Sequence, residues 1–196
     1  GKTTAETQTT VTEEIGETRA RFALIGPAGE SLVRYACVIN DLKHAAGRTG
    51  IGAVMGSKKL KCVAARGTST IPIADEEGYR ELAKYMAQNW KDKAWSMHEL
   101  GTPGGINGLN ARGALPTRNF QDGKFEGVEN IAGETLRDTL LINEGGCYAC
   151  PIRCKRVVEV KDEDFDVNPE YGGPEYETIG AFGSNCGVDD LRAIAK

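Results

Sequence analysis

Three of the chain's six cysteines, Cys147, Cys150 and Cys154, fall in one short run spaced C-x2-C-x3-C. Thiols this close cross-link little beyond their own loop, so the run is a poor disulfide framework. The same spacing suits a tight turn that aims several thiolates at one point, and Gly145, Gly146 and Pro151 supply turn residues. A redox metal centre is therefore the leading reading. A 4Fe–4S cluster takes four thiolates, commonly three from one loop and one from elsewhere. Structural zinc draws on two separated ligand pairs, and no second pair is present. His44 and His98 stand singly, far upstream. Zinc and a set of unligated thiols are the alternatives.

At 196 residues the chain can hold one domain or two small ones. Its hydrophobic content of 40% and charged content of 27% place it among ordinary globular proteins. A net charge of −4 gives no reason to expect nucleic acid or an anionic membrane as partner. No apolar run approaches the ~18 residues needed to span a bilayer. Cysteines outside any secreted-scaffold pattern point to a reducing, cytoplasmic setting.

Both ends read as cut from a longer protein. No initiator Met precedes Thr3-Thr4-Ala5-Glu6, which fits a capping box opening a helix with Val11 and Ile15 on one face. A disordered Thr-rich tail is the alternative. Residues 188–196 begin an amphipathic helix and stop after about two turns. Between the ends, 21–67 reads as β-rich, with strands at 22–25, 32–39 and 61–65, and a turn at 26–29. Cys37 and Cys62 fall on these strands as core residues. A linker spans 68–73. Helices follow at 75–100 and 128–142, separated by a glycine-dense loop over 101–127. The fold class is α+β.

Residues 47–59 form a second chemical feature. Their glycines let backbone N–H groups approach an anion, and Arg48, Lys58 and Lys59 add positive charge. Neither a P-loop nor a G-x-G-x-x-G pattern is present. Spacing alone leaves a tight structural turn and a phosphate or cofactor site both open.

Six stretches in order, residues 25–30, 47–61, 115–120, 147–154, 174–178 and 183–187, resemble the tungsten- and molybdenum-dependent aldehyde:ferredoxin oxidoreductases. The resemblance covers nearly the whole chain. It implies an internal piece of a longer protein: residues 1–67 ending a β-rich pterin-binding domain, and 68–196 beginning a mostly helical one. It implies that Cys147, Cys150 and Cys154 ligate a 4Fe–4S cluster whose fourth cysteine lies beyond Lys196. It implies a bis-pterin cofactor touched by the loop at Ala46, Gly47, Arg48, Gly50 and Gly52, with residues 110–120 as a further approach to the cavity.

A glutamate of the 174–177 segment, Glu175 or Glu177, is implied in proton transfer. A carboxylate against apolar walls can exchange protons near neutrality, although both could equally be solvated or ion-paired. Pro174 favours an extended path there, which would put the two on one face. Cys186, ahead of the last predicted helix, is a candidate soft ligand for tungsten or molybdenum, or else a buried structural thiol.

The activity implied is oxidation of small aldehydes to acids, with electrons passed to ferredoxin or another electron-carrier subunit in a homo- or hetero-oligomer. The runner-up is aromatic-ring reduction of an acyl-CoA, as in benzoyl-CoA reductases. From another class comes a ferredoxin-like electron-transfer module, which would need four local cysteines.

Overall fold

The computed structural model describes residues 1–196, which divide into two compact units, Gly1–Pro72 and Ile73–Lys196. The architecture is α+β, with small antiparallel sheets among short helices. No helix is long and apolar enough to cross a membrane.

The first unit opens with α1 (Thr4–Ile15). The Thr3 hydroxyl accepts from the Glu6 N–H, and the Glu6 carboxylate accepts from the Thr3 N–H at 2.7 Å, closing the capping box. A four-stranded antiparallel sheet follows, in the order β3-β2-β1-β4: β1 (Arg21–Leu24), β2 (Val38–Asn40), β3 (His44–Ala46) and β4 (Cys62–Ala65). Strand β1 is central and alternates inward Phe22 and Leu24, which with Ala20 form the buried core against Val11, Ile39 and Cys62.

Two expectations fail here. The strand expected over 32–39 survives only as β2, because residues 27–30 wind into a one-turn helix, α2 (Pro27–Glu30), and the chain turns through 31–37. The glycine stretch is not all loop either, since α3 (Ile51–Ser57) occupies its middle. Helix α3 lies against α2 through glycines. A Cβ on Gly56 would stand 1.9 Å from the Gly29 carbonyl oxygen, and one on Gly52 2.4 Å from that of Cys37. Cys62 is half-buried at the core margin, and Cys37 is half-buried just before β2, so neither is a fully buried core thiol.

The second unit begins with α4 (Glu76–Leu100), N-capped by Asp75, whose carboxylate accepts from the Gly78 N–H at 2.9 Å. The helix breaks at Ala94 (φ −141°), and only its far end is buried, at Leu100. The glycine-dense stretch is ordered rather than structureless: a 3₁₀ turn at Thr102–Gly105 runs into α5 (Ile106–Ala111). The helix expected over 128–142 is three elements, α6 (Val128–Ile131), α7 (Gly133–Thr139) and β5 (Leu141–Gly145). Ala132 is extended, and a Cβ on Gly133 would stand 2.7 Å from the Gly104 nitrogen. That close approach outweighs helical continuity.

Strand β5 pairs antiparallel with β6 (Lys155–Val158), and β7 (Val160–Lys161) with β8 (Asp166–Val167). The chain then forms α8 (Tyr176–Thr178), a π turn at Ile179–Gly183, a 3₁₀ turn at Ser184–Cys186 and α9 (Leu191–Ala195). Ile106, Leu115, Ile131, Leu136, Val158 and Ile179 are at 0% exposure and make the centre of this unit's core.

The glycine contacts between α2 and α3 generate a prediction. Gly56→Ala should destabilise the first unit by ~2 kcal/mol or more, a steric overlap with backbone that cannot yield. Gly67→Ala, with open space around it, should be nearly neutral. Hydrogen exchange over residues 21–65 reads the difference.

Candidate metal and proton-transfer site

The cysteine run is the loop of the β5–β6 hairpin. Gly145 lies opposite Lys155 in the register, and Glu144 opposite Arg156, so the strand ladder closes residues 146–154 into one turn. Within it the Cys150 N–H donates to the Cys147 carbonyl at 3.1 Å, and Ala149 and Arg153 take left-handed φ of 56° and 52°. The Arg153 guanidinium donates back to the Glu144 carbonyl. Cys147 is exposed, Cys150 and Cys154 are half-buried, and all three thiols are free. The hairpin thus brings them onto one short loop. No group of three or more His, Cys, Asp or Glu side chains is gathered as a ligand set.

The end of α4 is fastened to this loop. His98 Nδ1 donates to the Ile152 carbonyl at 2.7 Å, and its Nε2 lies 3.4 Å from a Glu144 carboxylate oxygen. Trp90 and Trp95 flank the imidazole, with ring centroids 4.9 and 5.2 Å away. Arg156, buried on β6, donates to the carbonyls of His98 (2.7 Å), Glu99 (2.8 Å) and Arg153 (3.1 Å). The first two are last-turn carbonyls of α4, which have no partner inside the helix, and the third belongs to the cysteine loop.

Glu175 and Glu177 part company. Glu175 is extended and Tyr176–Thr178 turn helically, so the fully extended path expected here is not adopted and the two side chains do not share a face. Glu177 is exposed. Glu175 is half-buried; its Oε1 accepts from Lys155 Nζ at 2.9 Å, and its Oε2 from the Thr102 hydroxyl at 2.6 Å. That hydroxyl oxygen also accepts from the Tyr176 N–H at 2.9 Å. Apolar walls do not surround the carboxylate; an ion pair does. Burial pulls the Lys155 ammonium down, but the Glu175 carboxylate, with smaller contributions from Cys154 and Cys147, holds it above the ordinary lysine value.

Sequence reasoning missed Lys155, Thr102 and Arg156. Lys155 and Arg156 directly follow the third cysteine, and that adjacency was the available signal. The pairing of Thr102 with Glu175, 73 positions apart, left none.

Cys186 is exposed rather than buried, and its thiol donates to the Ala181 carbonyl at 3.2 Å. Asp190, not Cys186, caps α9. The segments at 115–120 and 183–187 are joined: Ser184 Oγ donates to the Pro116 carbonyl at 2.7 Å, and the Arg118 and Asn119 N–H groups donate to the carbonyls of Ser184 and Asn185. These bonds hold Arg118, Asn119 and Phe120 in three successive left-handed conformations, a costly arrangement that persists only where surroundings enforce it.

In the first unit, Ala46, Gly47 and Arg48 are exposed at the end of β3 and the turn that follows. Gly50 and Gly52 are buried. Gly50 has φ +69°, and a Cβ there would stand 2.0 Å from the Arg34 carbonyl oxygen. These two glycines serve close packing of the chain on itself, whereas Arg48 extends outward.

Comparison with known proteins matches two consecutive family models: the N-terminal domain of aldehyde ferredoxin oxidoreductase over residues 1–67, and its domains 2 and 3 over residues 80–196. The chain is 41% identical over 202 aligned residues to the tungsten-containing aldehyde ferredoxin oxidoreductase of Thermococcus kodakarensis. It is 38% identical over 199 to that of Pyrococcus furiosus. All of this chain is covered in both cases, and it spans 32% of the length of each relative. Its fold superposes on the active-site complex BamBC of benzoyl coenzyme A reductase, solved with 1,5-dienoyl-CoA. The TM-score is 0.68 at 25% identity, over 99% of this chain and 31% of the other. The chain belongs to the aldehyde ferredoxin oxidoreductase family.

Proposed function

We propose that the protein containing this chain oxidises aldehydes to carboxylic acids and passes the electrons through a 4Fe–4S cluster to ferredoxin. The observation that carries the reading is the match of two consecutive domains of one oxidoreductase family, with the three-cysteine loop inside the second. The donor chemistry fits: Cys147, Cys150 and Cys154 share one hairpin loop, and three thiols from one loop suit an iron–sulfur cluster. These three would hold the cluster, with a fourth ligand from elsewhere in the protein. Ala46, Gly47 and Arg48 would contact a tungsten- or molybdenum-pterin group, the guanidinium offering forked donors to its oxygens, while Gly50 and Gly52 shape the turn. When bound, the metal–pterin group supplies two-electron redox chemistry and the cluster single-electron transfer.

The chain's own residues supply proton handling. Forming an acid from an aldehyde and water releases two protons with the two electrons. Glu175, with Lys155 on one oxygen and Thr102 on the other, is held in a fixed orientation from which a carboxylate can take a proton. Exposed Glu177 has no comparable framework. Reduction of an aromatic acyl-CoA is the second reading, favoured by the likeness to the benzoyl-CoA reductase complex. Turnover of an aldehyde against that of an aromatic acyl-CoA separates the two.

Metal analysis of the anaerobically purified full-length protein tests the class. Tungsten or molybdenum together with iron is expected; iron alone indicates an electron-transfer module, and zinc a structural domain. Cys150→Ser should lose the cluster's EPR signal while the pterin stays, and four irons retained per chain would refute the ligand assignment.

Glu175→Gln should lower turnover by roughly 10²–10⁴-fold, the scale of losing a general base, with Glu177→Gln nearly silent. Equal, near-normal rates would remove the segment from the mechanism. Glu175→Gln should also lower the Lys155 pKa, since burial then acts with less opposition. Because that value is raised in the folded protein, the pair's contribution is fully present at neutral pH. It is lost as pH rises through the raised Lys155 value. The pH dependence of Lys155 acylation, followed by mass spectrometry, measures the shift.

A further inference from the structure

Arg156 is at 1% exposure and is the largest fully buried side chain of the chain. A buried guanidinium is ordinarily paired with a carboxylate, because an uncompensated charge in a low-dielectric interior is costly. Arg156 makes no salt bridge at contact distance, although Glu144 lies opposite it in the strand register. Its terminal nitrogens donate only to backbone carbonyls, and its buried Nε has no partner. Burial pulls its pKa down, yet a guanidinium stays protonated across the working pH range. The cation is therefore real, and its compensation must come from partial charges or from an anion close by.

The surroundings show both. On one side are the His98 and Glu99 carbonyls, the negative end of the α4 dipole. On the other is the cysteine loop. Arg156 holds the Arg153 carbonyl at 3.1 Å, and the Glu144 carboxylate across the strand pair, followed by Cys154 and Glu175, favours its charged form. Gly101, at φ +64°, is wedged between the two: a Cβ there would stand 2.8 Å from the Cys154 carbonyl oxygen and 3.1 Å from Arg156 Nε. Thiolates ligating iron make a net-negative group, and reduction adds one more negative charge. A buried cation is screened little by solvent and stabilises that added charge.

We propose that Arg156 is a positioning residue that clamps the cysteine loop to the end of α4 and, through its buried charge, raises the reduction potential of the cluster held there. The inference rests on the cluster assigned above to Cys147, Cys150 and Cys154.

The test uses the full-length, anaerobically purified protein and its Arg156→Gln and Arg156→Lys variants, with iron counted and the cluster titrated by EPR. Arg156→Gln should lower the reduced-to-oxidised ratio at a fixed potential by tenfold or more, about 59 mV for a one-electron couple. Arg156→Lys, which keeps the charge, should move it less than threefold while hydrogen exchange at residues 153–156 speeds up. An unmoved potential in Arg156→Gln, or equal shifts in both variants, would overturn the proposal. Should Arg156→Gln yield no folded protein, Arg156→Lys decides: a ratio within threefold of the parent with faster exchange upholds it, and a tenfold fall overturns it. Absence of iron from the parent protein would instead remove the cluster assignment itself.

Discussion

The hydrogen bonds that Arg156 donates to the carbonyls of His98, Glu99 and Arg153 join three things that would otherwise be independent. These are the last turn of a 25-residue helix, the second strand of a two-stranded hairpin, and the base of the cysteine loop. A lone two-stranded hairpin is marginal in water. The loop it carries contains two non-glycine residues at positive φ and would not hold its shape unaided. Fastening it to α4 through Arg156 and His98 gives it a rigid neighbour. The helix gains too, because its terminal carbonyls find donors.

The same hairpin orders the Lys155–Glu175 pair. Lys155 opens β6 and reaches Glu175, which a second hydrogen bond ties to Thr102 just past the end of α4. Two neighbouring residues of one strand thus serve two purposes. Arg156 turns inward to the helix terminus, and Lys155 turns to the carboxylate, as the alternation of a strand requires. Whatever charge the cysteine loop carries is felt by both cations, which share one electrostatic neighbourhood.

The first unit illustrates a different use of residues that look chemical. Gly52 and Gly56 belong to the stretch whose glycines could approach an anion, yet their missing side chains are taken up by backbone of α2 and of residues 36–37. Arg48, one turn away, is left pointing outward. Close packing and an exposed basic side chain are compatible: a turn pinned from behind presents its guanidinium from a fixed base.

Much was determined by local sequence. The Thr3–Glu6 capping box, the Asp75 cap and the strand at 21–24 all depend on interactions within a few residues, which composition and spacing encode directly. Six ordered motifs were enough to identify the family. What only the tertiary structure decided involves partners far apart in the chain. Residues 128–142 have helical periodicity, but the close approach of Gly133 to Gly104 and the pairing of β5 with β6 break them into two helices and a strand. Glu175 is distinguished from Glu177 by Lys155 and Thr102, 20 and 73 positions away. Arg156 reads as one more charged residue after a cysteine until folding buries it against a helix end 57 positions earlier. Long-range contacts reward burial and hydrogen bonding that no local window contains, and that is where sequence alone falls silent.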